Sequence, residues 1–251
     1  MVNFVGAGCG AADLITLRGK ALLEKADVII YAGSLVNPQL LEYAKKECEI
    51  HNSAYMTLEQ VIDVMKKAED DGRMTVRLHT GDPCLYGAIR EQMDCLDRLG
   101  LAYDICPGVS SFCGAAAALK AEYTLPDVSQ TVIITRMAGR TAVPESERIE
   151  ALAAHGATMV IFLSTGMLAE LSERLVNGGY NADSSAAIVY KASWADQKVC
   201  RCTVGTLDET ARANGITKTA LICVGGFLGD DYSLSKLYDK SFETEFRKAD
   251  I

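Results

Sequence analysis

Val2-Asn3-Phe4-Val5-Gly6-Ala7-Gly8-Cys9-Gly10-Ala11-Ala12-Asp13-Leu14 opens the chain with an apolar run, a glycine-rich turn and the start of a helical pattern. A short apolar run bounded by a turn has the length of a buried strand. Glycines between a strand and a helix allow a tight turn and let a ligand approach the backbone closely. Gly6, Gly8 and Ala11 satisfy the G-x-G-x-x-G/A spacing of dinucleotide-binding folds. A nicotinamide site also calls for an acidic residue at the end of the second strand, to bind the ribose. Asp27 precedes that strand, whose end reads Tyr31-Ala32-Gly33-Ser34. A nicotinamide loop, a loop for another ligand and a bare glycine turn all remain open on this stretch alone.

Outward from it, strands and helices alternate. Asp13–Lys25 carries apolar residues at helical spacing, Val28–Tyr31 reads as a second buried strand, and Asn37-Pro38 begins another helix. Thr57 and Gln60 form a capping-box pattern ahead of a helix to Ala68. Met74–His79 is a strand, Gly87–Leu99 a helix stopped by Gly100, and Ala102–Cys106 a strand. Apolar strands between amphipathic helices predict a mostly parallel sheet covered on both faces. Beyond Leu119 come strands at Thr131–Thr135, Thr158–Leu163, Ala186–Tyr190, Lys198–Val204 and Thr219–Val224, with helices around Glu147–Ala154 and Leu168–Val176. The alternation Val199, Arg201, Thr203 predicts a half-exposed antiparallel strand. The expectation is α/β throughout: two α/β lobes, 1–119 and 120–251, with mostly parallel or mixed sheets and a ligand cleft between them.

Composition narrows the functional classes. The 251 residues carry a net charge of −8, which argues against nucleic-acid binding. No run approaches the roughly 20 apolar residues of a membrane span, and the N-terminus reads as a strand rather than a signal peptide. A cytoplasmic location is expected. Nine cysteines lie scattered, without a C-x-x-C, and three histidines stand far apart, so neither a disulfide framework nor a metal site is expected.

Two further loops follow strands. Gly81-Asp82-Pro83-Cys84-Leu85-Tyr86-Gly87 comes after His79, and Pro107-Gly108-Val109-Ser110-Ser111 comes after Cys106, with a small-residue helix at Ala115–Ala118 behind it. Each is ordinary turn chemistry alone, yet the carboxyl ends of parallel strands are where open α/β sheets bind ligands. Together with Gly6-Ala7-Gly8-x-Gly10 and Asp13-Leu14-Ile15-Thr16, these loops resemble the ordered signatures of the tetrapyrrole methylases. The resemblance spans the chain, adding Thr135-Arg136-Met137-Ala138-Gly139-Arg140-Thr141, Val189-Tyr190-Lys191-Ala192-Ser193-Trp194 and Thr219-Ala220. Tyr31-Ala32-Gly33-Ser34-Leu35-Val36 and the Ala-Gly-Arg-Thr loop are similar to those members that methylate precorrin-4 or cobalt-precorrin-4 at C11. Cys9 and Ala11 stand where the family usually has Pro and Asp. The acidic residue and lysine of uroporphyrinogen-III methylases have no counterpart, since Ala32-Gly33 and Asn52-Ser53 occupy those places.

The resemblance implies a homodimeric enzyme of corrin biosynthesis that uses S-adenosylmethionine. It puts Cys9, Thr80, Gly81, Asp82, Leu85, Ser110, Ser111, Ser164, Ala192, Thr219 and Ala220 at or near the cofactor. Small residues suit a cofactor held by main-chain groups. Methyl transfer to an electron-rich carbon needs alignment rather than a protein nucleophile, and no catalytic residue is assigned. Arg136 and Arg140, flanking a glycine loop, are expected to receive the carboxylate arms of the tetrapyrrole, with Tyr86 a further substrate contact. Arg90 could equally pair with Glu91 or Asp94. Competing expectations are another precorrin position, a protein side chain as in diphthine synthases, an NAD(P)-dependent reductase, or a nonenzymatic nucleotide-binding module.

Overall fold

Five parallel strands build the first sheet: β1 (Val2–Gly6), β2 (Val28–Tyr31), β3 (Glu49–Asn52), β4 (Thr75–His79) and β5 (Tyr103–Cys106), in the order β3-β2-β4-β1-β5. The structure, a computed structural model, describes residues 1–250 and only the main chain of Ser34; Ile251, at the end of the second expected lobe, lies outside the described residues. Every residue of β1 and β4 is buried, because a parallel sheet is covered on both faces. Val2, Phe4, Val28 and Ile30 face α2 (Leu58–Asp70) and α3 (Arg90–Leu99) with Ile62, Met65 and Leu96. Val5, Ile29, Val76 and Leu78 face the other way, onto Leu23 of α1 (Leu17–Lys25) and Leu40. β3 escapes sequence reading because Glu49, His51 and Asn52 interrupt any apolar run; it is an edge strand with two exposed residues.

Helix boundaries follow local chemistry. The Thr57–Gln60 capping box forms, with Gln60 N donating to Thr57 Oγ1 (3.4 Å) and Thr57 N to Gln60 Oε1 (2.9 Å). The expected helix from Asp13 is instead a 3₁₀ turn, Ala12–Leu14, then extended Ile15 and Thr16, whose hydroxyl caps α1 through Gly19 N. Asn37-Pro38 starts a 3₁₀ run, Pro38–Tyr43, rather than an α-helix. α3 begins at Arg90 and not Gly87, because Tyr86 (φ 55°) and Ala88 (φ 50°) take the left-handed conformation and cannot continue a right-handed helix. Gly100, with φ 67°, ends it as expected.

The second sheet has β6 (Val132–Arg136), β7 (Thr158–Phe162), β8 (Ser185–Tyr190), β9 (Lys198–Thr203) and β10 (Ala220–Val224), ordered β6-β7-β10-β8-β9. Only β6 and β7 pair in parallel; β10 and β9 run antiparallel to their neighbours. Met159, Ile161, Ile188 and Ile222 pack with Leu171 and Leu175 of α6 (Leu168–Asn177) and Leu207 of α7 (Leu207–Ala213). Ile149 of the short α5 (Ile149–Ala153) closes this core. β9 is half exposed and antiparallel, as its alternation predicted. α4 (Ser111–Leu119) follows β5 in the chain. Two compact units result, 1–115 with the loop Lys191–Gln197, and 116–190 with residues 198 onward.

Polar residues interrupt the first core. Arg77 is 6% exposed and donates to Gln92 Oε1 (3.0 Å) and to the Ile30 carbonyl (3.1 Å). His79, on the same face of β4, is 3% exposed, and its Nε2 has no partner among the described residues. Burial first, and the Arg77 charge second, hold the His79 pKa down to about 3. The imidazole is therefore uncharged in the fold, while the unfolded chain takes up a proton below its ordinary pKa of 6.5. Stability is thus complete above the unfolded value and is lost as pH falls through the window down to the folded value. His79→Leu should remove this dependence: unfolding free energies from urea titrations between about pH 6 and 4.5 should fall less steeply than in wild type, by roughly 1.4 kcal/mol per pH unit. Parallel wild-type and variant slopes would contradict the assignment.

Candidate functional site

Three glycines from three adjacent strands meet at the carboxyl edge of the first sheet. Gly6 ends β1, Gly81 follows β4 and Gly108 follows β5. A Cβ on Gly6 would lie 2.5 Å from Gly108 Cα and 2.6 Å from the Gly81 carbonyl oxygen; one on Gly108 would lie 2.7 Å from Gly6 Cα. No side chain fits at either place. Gly81 differs: a Cβ there meets nothing closer than 3.4 Å, but its φ of 63° favours glycine.

Hydrogen bonds lock the same junction. Gly81 N donates to the Gly8 carbonyl (2.9 Å), Gly8 N returns to Gly81 O (3.3 Å), and Ala7 N donates to His79 O (2.7 Å). Asp82 uses one carboxylate oxygen to accept from Gly108 N (2.9 Å) and the other to accept from Cys84 N (2.8 Å). The first bond ties the second loop to the third, and the other is local to the second loop. Thr80 Oγ1 is buried without a partner among the described residues, and Ser110 is 6% exposed. The Ser110 carbonyl accepts from Cys113 N and Gly114 N at the start of α4, beside Ser111. Leu85 is half-buried; Tyr86, 44% exposed, stands on the same loop.

Cys9 and Ala192 complete this edge. The Lys191–Gln197 loop between β8 and β9 belongs to the first unit. Its Ala192, 6% exposed, lies against α4: a Cβ on Gly114 would meet Cys9 Sγ at 2.8 Å and Ala192 Cβ at 3.4 Å. Lys191 and Ser193 have φ values of 46° and 66°, and Lys191 Nζ bonds Asp196 (2.7 Å) and stands 5.4 Å from the centre of the Trp194 ring. Left-handed non-glycine residues cost energy and tend to collect at binding sites. Tyr86, Ala88, Lys191 and Ser193 are left-handed here, and Lys120, Asp127, Leu163 and Thr219 are left-handed elsewhere.

The remaining predicted residues lie in the second unit, at the edge where β6 and β7 end and β10 begins. Ser164 is fully buried, accepts from Met137 N (3.0 Å) and donates to Phe162 O (2.7 Å), so its hydroxyl ties the loop after β6 to the loop after β7. Thr219 is left-handed (φ 59°), as is Leu163, and the Ala220 carbonyl accepts from Thr165 Oγ1 (3.1 Å). Arg136, expected to meet a substrate carboxylate, directs its Nη atoms at main-chain carbonyls: Met137 (3.0 Å), Thr141 (3.1 Å) and Ala142 (2.8 Å). It braces the turn that displays Arg140, which is exposed. Arg90 pairs with Asp94 (2.7 Å) on the surface of α3.

The Cys84 and Cys113 thiols are not primed as nucleophiles. The hydrogen bond to Asp82, then burial, push the Cys84 pKa up; burial, then the neighbouring Cys9 thiol, do the same for Cys113. Sequence reasoning missed Asn37 and the hydroxyl of Ser193 as parts of the site. Asn37 is legible only as a helix cap; its Nδ2 donates to the Gly10 carbonyl (2.9 Å), a contact between distant segments.

Comparison with known proteins identifies the family. Residues 1–208 match the model of the tetrapyrrole (corrin/porphyrin) methylases. The cobalt-precorrin-4 C(11)-methyltransferase of Methanocaldococcus jannaschii is 55% identical over 249 residues, covering 99% of this chain and 96% of the relative. The precorrin-4 C(11)-methyltransferase of Pseudomonas aeruginosa is 44% identical, covering 94% of each. The X-ray structure of a cobalamin biosynthetic enzyme, cobalt precorrin-4 methyltransferase, superposes with a TM-score of 0.89 at 45% identity, over 91% of this chain and 96% of that one.

The glycine junction separates two kinds of substitution. Gly108→Ala forces backbone apart and should cost about 1–3 kcal/mol or more. Gly81→Ala has room and should cost roughly 1–2 kcal/mol, from its left-handed conformation. Urea denaturation should rank Gly108→Ala as the less stable variant; the reverse order would show that the close approach is not what the junction depends on.

Proposed function

Since the chain belongs to the tetrapyrrole (corrin/porphyrin) methylases, we propose that it transfers the methyl group of S-adenosylmethionine to C11 of precorrin-4 or cobalt-precorrin-4, in cobalamin biosynthesis. The carrying observation is the meeting of Gly6, Gly81 and Gly108 at the carboxyl edge of a parallel sheet, in a chain 55% identical to a C11-methyltransferase. The same reading includes a homodimer working in the cytoplasm; among the described residues no helix is long and apolar enough to cross a membrane.

The residues present suit the methyl donor. Glycine and other small residues around the three loops allow close approach to the main chain, and the buried Thr80 hydroxyl lacks a partner among the described residues. We place Cys9, Thr80, Gly81, Leu85, Ser110, Ser111, Ala192, Ser164, Thr219 and Ala220 at or near the methyl donor, as the family resemblance implies. Asp82 serves by holding the loops. When bound, S-adenosylmethionine supplies an electrophilic methyl group, and the nucleophile is a carbon of the tetrapyrrole. What the protein contributes is alignment of the two, which requires no thiolate or activated hydroxyl. A nicotinamide reading lacks its ribose-binding acid, because β2 ends in Tyr31-Ala32. Arg140, on the turn braced by Arg136, receives a carboxylate arm of the substrate, and Tyr86 is a further substrate contact.

The direct test is incubation with labelled methyl donor and each macrocycle, followed by assignment of the labelled carbon. Label at C11 is the expected result; label elsewhere, or none, overturns the reading. S-Adenosylhomocysteine should raise the melting temperature by mass action, and NADPH should not.

Arg140→Ala should weaken tetrapyrrole binding by about ten- to a hundredfold, the cost of one charged hydrogen bond, while S-adenosylhomocysteine affinity stays unchanged. Arg140→Lys should recover part of the loss, since an ammonium cannot form the bidentate fork. Paired titrations of both ligands decide this: equal weakening of both would make Arg140 a structural residue.

A further inference from the structure

One peptide unit of the first glycine loop is held from both ends by side chains from elsewhere in the first unit. The Gly10 carbonyl accepts from Asn37 Nδ2 at 2.9 Å, and the Ala11 N–H, in the same peptide plane, donates to Ser193 Oγ at 2.9 Å. The loop cannot hold itself, because Gly8, Cys9, Gly10 and Ala11 offer no side chain able to accept that N–H across the turn. Ser193 also stands 3.4 Å from Cys9 Sγ, and its own N–H donates to Gln197 Oε1 at 2.6 Å. A Cβ on Gly10 would collide with the Trp194 ring and with the Ala192 carbonyl, at 2.5 Å from the latter, so the loop and the Lys191–Gln197 segment are in contact along their length. Ser193 adopts φ 66°, a conformation that glycine or asparagine would occupy more cheaply. The hydroxyl therefore has a use that offsets its backbone strain.

We propose that Ser193 is a positioning residue for the methyl-donor site: with Asn37 it clamps the Gly10–Ala11 peptide plane and so fixes the main-chain groups of the Gly6–Ala11 loop where the donor is held. The assignment rests on the proposed methyltransferase reading and extends it to a side chain that does not itself touch the reacting atoms. Because the donor needs the same loop before and during transfer, the clamp acts on binding and not on the chemical step.

Ser193→Gly is the informative variant, since it removes the hydroxyl and at the same time relieves the left-handed strain. Its melting temperature should equal or exceed that of wild type. Its dissociation constant for S-adenosylhomocysteine and KM for S-adenosylmethionine should rise roughly three- to tenfold, the worth of one neutral hydrogen bond. Its kcat and its KM for the tetrapyrrole should stay within about twofold. Amide exchange in a peptide covering Gly8–Ala12 should quicken. Ser193→Asn, which tolerates the backbone and supplies a carbonyl acceptor, should restore part of the affinity. Unchanged S-adenosylhomocysteine affinity in Ser193→Gly, with wild type binding normally, overturns the role of Ser193 alone. So does a loss of affinity matched by a loss of melting temperature, which would make Ser193 a structural residue. Failure of wild type itself to bind S-adenosylhomocysteine overturns the methyltransferase reading and this assignment with it.

Discussion

Backbone-to-backbone contact among Gly6, Gly81 and Gly108 is the constraint on which the first unit depends. Parallel strands stand about 4.8 Å apart, and their following loops normally diverge to make room for side chains. Here three successive loops converge, because the chain presents hydrogen atoms where other residues would present Cβ. The reciprocal Gly8–Gly81 hydrogen bonds and the Asp82–Gly108 bond extend the junction outward. Main-chain groups of the three loops are thereby packed against one another at the carboxyl edge of the sheet, which fixes the shape of that edge.

A common economy runs through both units: polar side chains in the motifs act on the protein itself. Asp82 joins two loops, Ser164 joins the loops after β6 and β7, and Arg136 gathers three carbonyls of its own turn. Each satisfies main-chain groups that a buried or tightly turned loop would otherwise leave unpaired. In the proposed function, binding then falls to main-chain groups and to residues displayed by the braced loops, such as the exposed Arg140. A site built this way is rigid before the ligand arrives, so less ordering remains to be done on binding.

Its chemistry agrees with that construction. The protonated thiols of Cys84 and Cys113 and the uncharged, buried His79 provide neither an anionic nucleophile nor a charged acid at the first edge. Displacement at a methyl group by a carbon of the substrate needs none of these; it needs two reactants held in line. The left-handed Tyr86, Ala88, Lys191 and Ser193 show backbone energy invested in loop shape rather than in activated side chains.

Alternating apolar runs, the Thr57–Gln60 box and Gly100 were enough to determine the α/β class, α2 and the end of α3, because each is a local property of periodicity or capping. The three glycine loops, and through them the family, were also legible, since the need for glycine at a close approach leaves its mark on the sequence at each site separately. Tertiary structure alone decided the rest. β3 forms because β2 offers it a parallel edge, despite its polar residues. The helix expected from Gly87 waits until Arg90, because Tyr86 and Ala88 are held in left-handed conformations. Arg136 turned inward because three carbonyls of its own turn came within its reach, and Ser193 reached Ala11 because the loop after β8 lies against a turn at the other end of the chain. Periodicity and capping record what neighbours in sequence do to each other; which distant donor meets which acceptor is settled only when the chain is folded.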